Sequence, residues 1–390
     1  MTVEDTDLKN KTVLMRADFN VPQDANLNIT DDIRIRATLP TIKYILQNGA
    51  KRLILMSHLG RPDGKVVEIY SLKPVAIRLN ELLGEPVKFV NDCVGDNIKK
   101  EIMASKERVI LLENLRFHPE EEANDPNFSK QLASLADIFV NDAFGTAHRA
   151  HASTEGVTHY LKSVAGFLLE KEIQYLGNTM QNPEHPFMVI LGGAKVSDKI
   201  GVIENLLPKC DTILIGGGMA YTFLKAQGKA IGNSKLEKDK LDLAKGLIDE
   251  AKKLNKEIVL PIDHIVVDNI AADAQTEVVD ENIPEGKIAV DIGPKTVSLF
   301  KDKLKPAKTI VWNGPLGICE MDAFSKGTQE IAKFISTLKC TTIIGGGDTA
   351  SAVAKFKLED KMTHISTGGG ASLEFLEGKA LPGIAALSDK

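Results

Sequence analysis

The chain has 390 residues, 43% of them apolar and 26% charged, with a formal net charge of −5 and a pI near 6.0. That length exceeds one ordinary core and predicts two domains, and the composition is that of a folded globular protein. The charge argues against general nucleic-acid or membrane-surface binding, but leaves room for a small anion held by local positive charge. The opening residues, Met-Thr-Val-Glu-Asp, lack the basic and apolar regions of a secretory signal. No apolar run approaches the ~18 residues of a membrane helix. The cysteines, Cys93, Cys210, Cys319 and Cys340, are scattered without a C-x-x-C pair, so neither a disulfide framework nor a zinc site is expected. A cytoplasmic protein is the default reading.

Short β-branched apolar runs alternate with amphipathic stretches along the chain. Strands are predicted at Thr12–Met15, Leu53–Met56, Val109–Leu112 and Ile138–Val140. Between them, Leu39, Ile42, Ile45 and Leu46 recur at helical spacing up to Gly49. Val75, Leu79, Leu82 and Leu83 do the same, with Pro74 in the first turn and Gly84 at the end. A helix at Leu168–Asn178 and the turn-rich Asn182–Pro186 mark the junction of two halves. Further strands are predicted at Met188–Leu191, Thr212–Ile215, Glu257–Leu260, Thr309–Trp312 and Thr341–Ile344. Strands separated by helices mean parallel sheets with right-handed crossovers.

Two residue types divide the chain. All nine arginines (Arg16, Arg34, Arg36, Arg52, Arg61, Arg78, Arg108, Arg116 and Arg149) lie in the first 149 residues, although lysine is plentiful beyond. The planar guanidinium fork binds carboxylate or phosphate bidentately, as lysine does not. Glycine clusters show the opposite bias: Gly192-Gly193, Gly216–Gly218, Gly345–Gly347 and Gly368–Gly370. Each follows an apolar run and precedes a helical stretch. Glycine lets backbone approach a ligand, and a helix N-terminus offers free N–H groups. On one parallel sheet, four such turns open on the carboxyl edge, where nucleotides bind. Neither the P-loop pattern nor G-x-G-x-x-G occurs, which weighs against a dehydrogenase.

The polar residues past the strands are informative. Asp18 and Asn20 follow the first strand, and Arg34 is placed in the loop region after it. His58 and Arg61 follow the second, Arg116 the strand at Val109–Leu112, and Arg149 the one at Ile138–Val140. Convergent arginines on one sheet edge make an anion clamp. Each residue has a plainer reading too: Asp18 and Asn20 as turn caps, any one arginine as surface charge, Lys195 and Lys199 as solvated lysines, Asp348 as a helix N-cap. His148-x-x-His151 lacks an evident third metal ligand. Two rivals are an NAD-dependent dehydrogenase and a non-catalytic nucleotide-binding module. The module leaves the arginine loops unexplained.

The strings Arg16-Ala-Asp-Phe-Asn-Val-Pro22, Ser57-His-Leu-Gly-Arg-Pro62, Leu112-Glu-Asn-Leu-Arg-Phe117, Asn141-Asp-Ala-Phe-Gly-Thr-Ala-His-Arg149, Leu191-Gly-Gly-Ala-Lys-Val-Ser-Asp-Lys199, Val311-Trp-Asn-Gly-Pro-Leu-Gly317, Gly345-Gly-Gly-Asp-Thr349 and Ser366-Thr-Gly-Gly-Gly-Ala-Ser-Leu-Glu374 run in order over nearly the whole chain. In these the sequence closely resembles the phosphoglycerate kinase family, bacterial type by its compact length. The resemblance implies two Rossmann-like α/β domains joined by a hinge with an interdomain helix. Residues 1–168, completed by 375–390, would bind phosphoglycerate; 169–374 would bind the nucleotide. It implies reversible, magnesium-dependent phosphoryl transfer between 1,3-bisphosphoglycerate and ADP, giving 3-phosphoglycerate and ATP, in glycolysis and gluconeogenesis.

By the same resemblance, Asp18, Asn20, Arg34, His58, Arg61, Arg116 and Arg149 line the phosphoglycerate site. Gly193, Gly217, Asn313, Pro315, Gly317 and Glu320 line the adenosine pocket. Lys195, Lys199, Gly346, Gly347 and Thr349 lie near the phosphates, and Asp348 approaches magnesium. Arg34, Lys195, Lys199, Gly347 and Gly370 would serve the transfer itself, in line and on hinge closure, in a monomer. The acceptor oxygen is already ionised, so no general base is required and catalysis is positioning and charge stabilisation.

Overall fold

The computed structural model describes residues 1–366 and 368–389. Thr367, inside the last quoted motif, and Lys390, at the end of the expected 375–390 segment, lie outside the described residues. The chain divides into two compact units, Met1–Gln174 with Ala380–Lys390, and Tyr175–Lys379.

In the first unit, strands and helices alternate: β1 (Thr12–Arg16), α1 (Ile33–Gln47), β2 (Arg52–Met56), α2 (Lys73–Leu83), β3 (Val87–Phe89), α3 (Asp96–Ala104), β4 (Val109–Leu111), α4 (Pro119–Glu122), α5 (Pro126–Ala133), β5 (Ile138–Asn141) and β6 (Lys162–Ala165). They form one parallel sheet in the order β3-β4-β2-β1-β5-β6. The two-residue period of a strand sends neighbours to opposite faces. Val13, Met15, Leu53 and Leu55 join the core on one side, Leu14, Ile54 and Met56 that on the other. Burying each such side chain is worth about 1.5–3 kcal/mol. The strand ends are therefore fixed points on which loops can be aimed. From β1 the chain runs to β2 on one side and later to β5 on the other. The crevice outside the carboxyl ends of β1 and β5 is thus a topological switch point.

Helix α1 starts earlier than its apolar spacing suggests and runs through Pro40. Arg34 is accordingly in the first turn of a helix, not in a loop. Proline within a helix forfeits one hydrogen bond and normally reads as a start or a break, which is why the helix seemed to begin near Leu39.

Helix α6 (Phe167–Gln181) contains the division between the units. Its first amides are capped from the β5 loop: Leu168 and Leu169 N–H donate to Asp142 Oδ1 at 2.9 and 3.2 Å. The expected boundaries at 168/169 and 374/375 lie six and five residues before the divisions at 174/175 and 379/380. A continuous helix carries no composition break to mark the first.

The second unit continues with β7 (Phe187–Leu191), α7 (Ile200–Leu206), β8 (Thr212–Ile215), α8 (Ala220–Ala226), α9 (Leu241–Lys253), β9 (Glu257–Val259), β10 (Asp263–Val267), β11 (Glu277–Asp280), β12 (Ile288–Ile292), α10 (Pro294–Leu304), β13 (Thr309–Asn313), α11 (Lys326–Ile335), β14 (Thr341–Gly345), α12 (Gly347–Lys355), β15 (His364–Ile365) and α13 (Gly370–Leu376). Its main sheet is parallel, β15-β14-β13-β7-β8-β9, with a switch point between β7 and β13. Every residue of β7 and β13 is buried, as expected of strands covered on both faces. A smaller antiparallel sheet, β11-β10-β12, was not foreseen. Helix α13 is tied to α7 by Asn205 Nδ2, which donates to the Leu376 carbonyl at 2.8 Å; this keeps the residues after 374 in the second unit.

The final helix, α14 (Pro382–Ala385), belongs to the first unit. Asn141 Nδ2 donates to the Gly383 carbonyl at 3.0 Å, and Gly383 N–H to the Ala147 carbonyl at 2.9 Å.

Candidate functional site

In the first unit the polar residues gather at the carboxyl edge of β1, β2, β4 and β5. Asp18 Oδ1 accepts from Asn20 N–H, and Asn20 Oδ1 accepts from Gly60 N–H at 2.9 Å. Two loops are thereby stitched together. Arg34, from α1, pairs with Asp18 Oδ2. Arg116 sits in the short turn Leu115–Phe117 and donates to the Gly60 carbonyl at 3.0 Å, with Nε 3.2 Å from Glu122 Oε1. Burial pushes its pKa down to about 10. Arg149 is half-buried and donates to His148 Nε2.

His58 reports on how these charges converge. It is buried, and its pKa is held well below the usual imidazole range, first by burial and then by Arg16, Arg116, Arg34 and Arg149. Four guanidiniums thus act on one ring. Arg61 stands exposed and is not among them.

Arg16 is the residue that sequence reasoning missed. It is 0% exposed and lies at the end of β1. The available signal was its place as the last residue of a buried strand, two before Asp18. Arg36 and Arg78 instead pair with Asp32, while Arg52 and Arg108 donate to backbone carbonyls.

In the second unit three glycine turns interlock at the β7/β13 switch point. A Cβ on Gly192 would lie 2.0 Å from the Pro315 carbonyl oxygen, and one on Gly314, at φ +100°, 2.3 Å from the Gly192 oxygen. These two glycines let the strand ends approach each other. Gly217, at φ +66°, closes on Gly193 in the same way. Trp312 is buried and its indole N–H donates to the Gly314 carbonyl at 2.8 Å. The Thr349 hydroxyl accepts from Gly314 N–H at 2.7 Å.

Beside these turns lies a cavity of about 370 Å³, lined by the expected Gly193, Gly217, Pro315, Gly317, Glu320 and Asp348. Its volume is within the range of small-molecule sites. Its apolar wall, including Ile288, Ala289 and Val290, comes from β12. That wall was not anticipated, because the strand itself was not.

Lys199 is half-buried, has its pKa lowered by burial, and donates to Asn313 Oδ1. Lys195 is exposed. Gly346 caps α12 at φ +86°, Gly347 opens the helix with open space around it, and Asp348 is exposed in its first turn. Gly370 opens α13.

An exposed carboxylate beside this cavity has the oxygen chemistry that suits magnesium, which keeps several of its waters. Among the described residues, one cluster brings three possible metal-ligand side chains within 4.8 Å of one another: Asp92, Cys93 and His118. There, however, His118 Nε2 already bonds Asp92 Oδ1 at 2.6 Å and Cys93 Sγ donates to the Glu113 carbonyl. It is a satisfied polar knot. No helix of the described residues is long and apolar enough to cross a membrane.

Comparison with known proteins gives one consistent result. Residues 3–379 match the family described as phosphoglycerate kinase. A phosphoglycerate kinase of Dictyoglomus turgidum is 58% identical over 100% of this chain and 98% of its own length. One from Chlorobium limicola is 57% identical over 100% and 99%. Among solved structures, phosphoglycerate kinase from Coxiella burnetii superposes with a TM-score of 0.90 at 42% identity, covering 99% of this chain and 98% of that one. The Pyrococcus horikoshii enzyme gives 0.85 at 34% identity, with the same coverage.

Proposed function

The chain belongs to the phosphoglycerate kinase family, and from that premise we propose how its two units share a reversible phosphoryl transfer between 1,3-bisphosphoglycerate and ADP. It is a phosphotransferase with a carboxyl group as acceptor, and neither the dehydrogenase nor the non-catalytic module is supported. The first unit holds phosphoglycerate through Arg34, Arg116, Arg149, His58, Asp18 and Asn20, with Arg61 reaching in from an exposed position. The observation that carries this is the basic cluster at the carboxyl edge of the first sheet, where Arg34 meets Asp18, Arg116 meets the Gly60 carbonyl and Arg16 meets His58. The second unit holds ADP or ATP in the cavity between the glycine turns and β12. The base lies against the apolar wall, with Glu320 toward the ribose.

The chemistry needs no proton acceptor, since the attacking oxygen is ionised near neutral pH. Arg34 from the first unit, and Lys199, Lys195 and the amides at Gly347 and Gly370 from the second, stabilise the charge of the transferring group. Thr349 supports this from below by holding the Gly314 turn. Asp348 would hold the magnesium of the metal–nucleotide, which when bound would supply charge neutralisation at the phosphates. The reading is of a cytoplasmic monomer.

A coupled assay with 3-phosphoglycerate, ATP and magnesium tests the proposal. Well-folded protein without turnover above background would refute it.

A further inference from the structure

Arg16 donates through Nε to Ser153 Oγ at 2.9 Å, and through Nη1 to the Ala17 carbonyl and, at 3.4 Å, to Ser57 Oγ. Its Nη2 meets His58 Nδ1 at 3.2 Å. A guanidinium has five N–H donors and no acceptor. The imidazole nitrogen that meets it has to be the acceptor, so Nδ1 is bare and the ring proton sits on Nε2. We infer that Arg16 is a positioning residue: it locks His58 in the neutral Nε2–H form, so that His58 offers the phosphoglycerate a hydrogen-bond donor without a charge. This rests on the reading of His58 as a substrate ligand.

Arg16 is itself anchored. The Ser153 hydroxyl that accepts from it donates to Glu121 Oε1 at 2.6 Å, and Ser153 N–H donates to Oε2 at 3.0 Å. Glu121 is 0% exposed. A buried chain therefore runs Glu121–Ser153–Arg16–His58, with one negative and one positive member. Neither is cheap to leave alone, because an unpaired buried charge is strongly destabilising. His151 does not compete for Glu121 as a cation: its Nδ1 lies 3.9 Å away, and burial with the neighbouring arginines lowers its pKa to about 3.

The charged groups facing His58 are Arg16 from β1, Arg34 from α1, Arg116 from the turn after β4 and Arg149 from the loop after β5. All oppose an imidazolium. With that much fixed positive charge, a further cation adds repulsion, whereas a neutral N–H adds direction. The arrangement also removes histidine's usual sensitivity near neutral pH.

Long-range proton–nitrogen spectra of histidine-labelled protein, with His58 assigned through His58→Gln, read the tautomer directly. The expected result is a bare Nδ1 and a protonated Nε2, unchanged between about pH 6 and 8. An Nδ1–H ring or an imidazolium in that range overturns the inference. Ser153→Ala supplies a second arm, since it cuts the bridge while keeping both charges. It should mix the tautomers and raise KM for 3-phosphoglycerate roughly tenfold with kcat and KM for ATP nearly unchanged, the loss expected of one oriented hydrogen bond. Ser153→Thr should restore both readouts. A shifted tautomer with unmoved KM refutes the positioning role, while turnover by the unaltered protein would still uphold the kinase reading.

Discussion

Arg34 Nη1 donates to Asp18 Oδ2 at 2.6 Å, joining the first turn of α1 to the loop after β1. The arginine side chain is 33% exposed, so the pair adds little stability, about 0–1 kcal/mol. Its worth lies in aiming the remaining guanidinium donors. Arg34→Ala is therefore expected to leave the thermal midpoint nearly unchanged and to lower turnover by roughly 10²–10³-fold. Nucleotide affinity should stay near its original value. Steady-state kinetics beside nucleotide titration check this; a defect mainly in nucleotide affinity contradicts the assigned role.

Lys199 and Asn313 make the corresponding pair in the second unit, where the lysine is tied to the carboxyl end of β13. Lys199→Ala should lower kcat by about 10²-fold through loss of one preorganised charge. KM for 3-phosphoglycerate should hardly move. Varying both substrates in the coupled assay separates these effects, and an unchanged kcat rules out the role.

The glycines of the second unit divide by what surrounds them. Gly314→Ala puts a Cβ 2.3 Å from the Gly192 carbonyl oxygen at φ +100°. It should cost about 3 kcal/mol of stability and weaken nucleotide binding with it. Gly347 has open space and a helical position, so Gly347→Ala should leave stability intact. Denaturant unfolding of both variants tests the contrast; equal losses would contradict it.

Asp142 caps α6 while fully buried, and burial raises its pKa to about 7 from an ordinary 3.8. Between these values the unfolded chain gives up a proton that the folded one keeps. The group's contribution is present below about pH 4 and is lost as pH rises through 7. Asp142→Asn should flatten this slope and raise stability at pH 8 by on the order of 3 kcal/mol. Asp291, also lifted to about 7 by burial, leaves a slope of the same sign and comparable size, which persists in Asp142→Asn. Urea unfolding at pH 5 and pH 8 gives the measurement, and an unaltered slope in Asp142→Asn would show that another group controls it.

Strand ends were legible because a β-branched apolar run followed by polar residues or glycine has few other readings. The polar loops after β1, β2, β4 and β5 and the glycine turns at Gly193 and Gly217 are legible that way, whereas Pro315 comes only from the family resemblance. Arg34 was misplaced because Pro40 disguised a helix that packing sustains. Arg16 was passed over because arginine at a strand end reads as surface charge, and the partner that permits its burial, Glu121, is 105 positions away by number (121 − 16). The antiparallel sheet escaped notice because β11 is short and mostly exposed and β10 carries Asp263 and His264 inside its span. Such residues hide a strand until their tertiary partners are known.

The return of α14 to the first unit has a consequence for biosynthesis. Residues 1–174 leave the ribosome first, yet Asn141 and Ala147 bond to Gly383, which is translated after the whole of the second unit. Domains generally fold as they emerge. Here the later unit is complete in sequence before the earlier one, so the nascent first unit waits with the backbone beside its β5 loop unpaired.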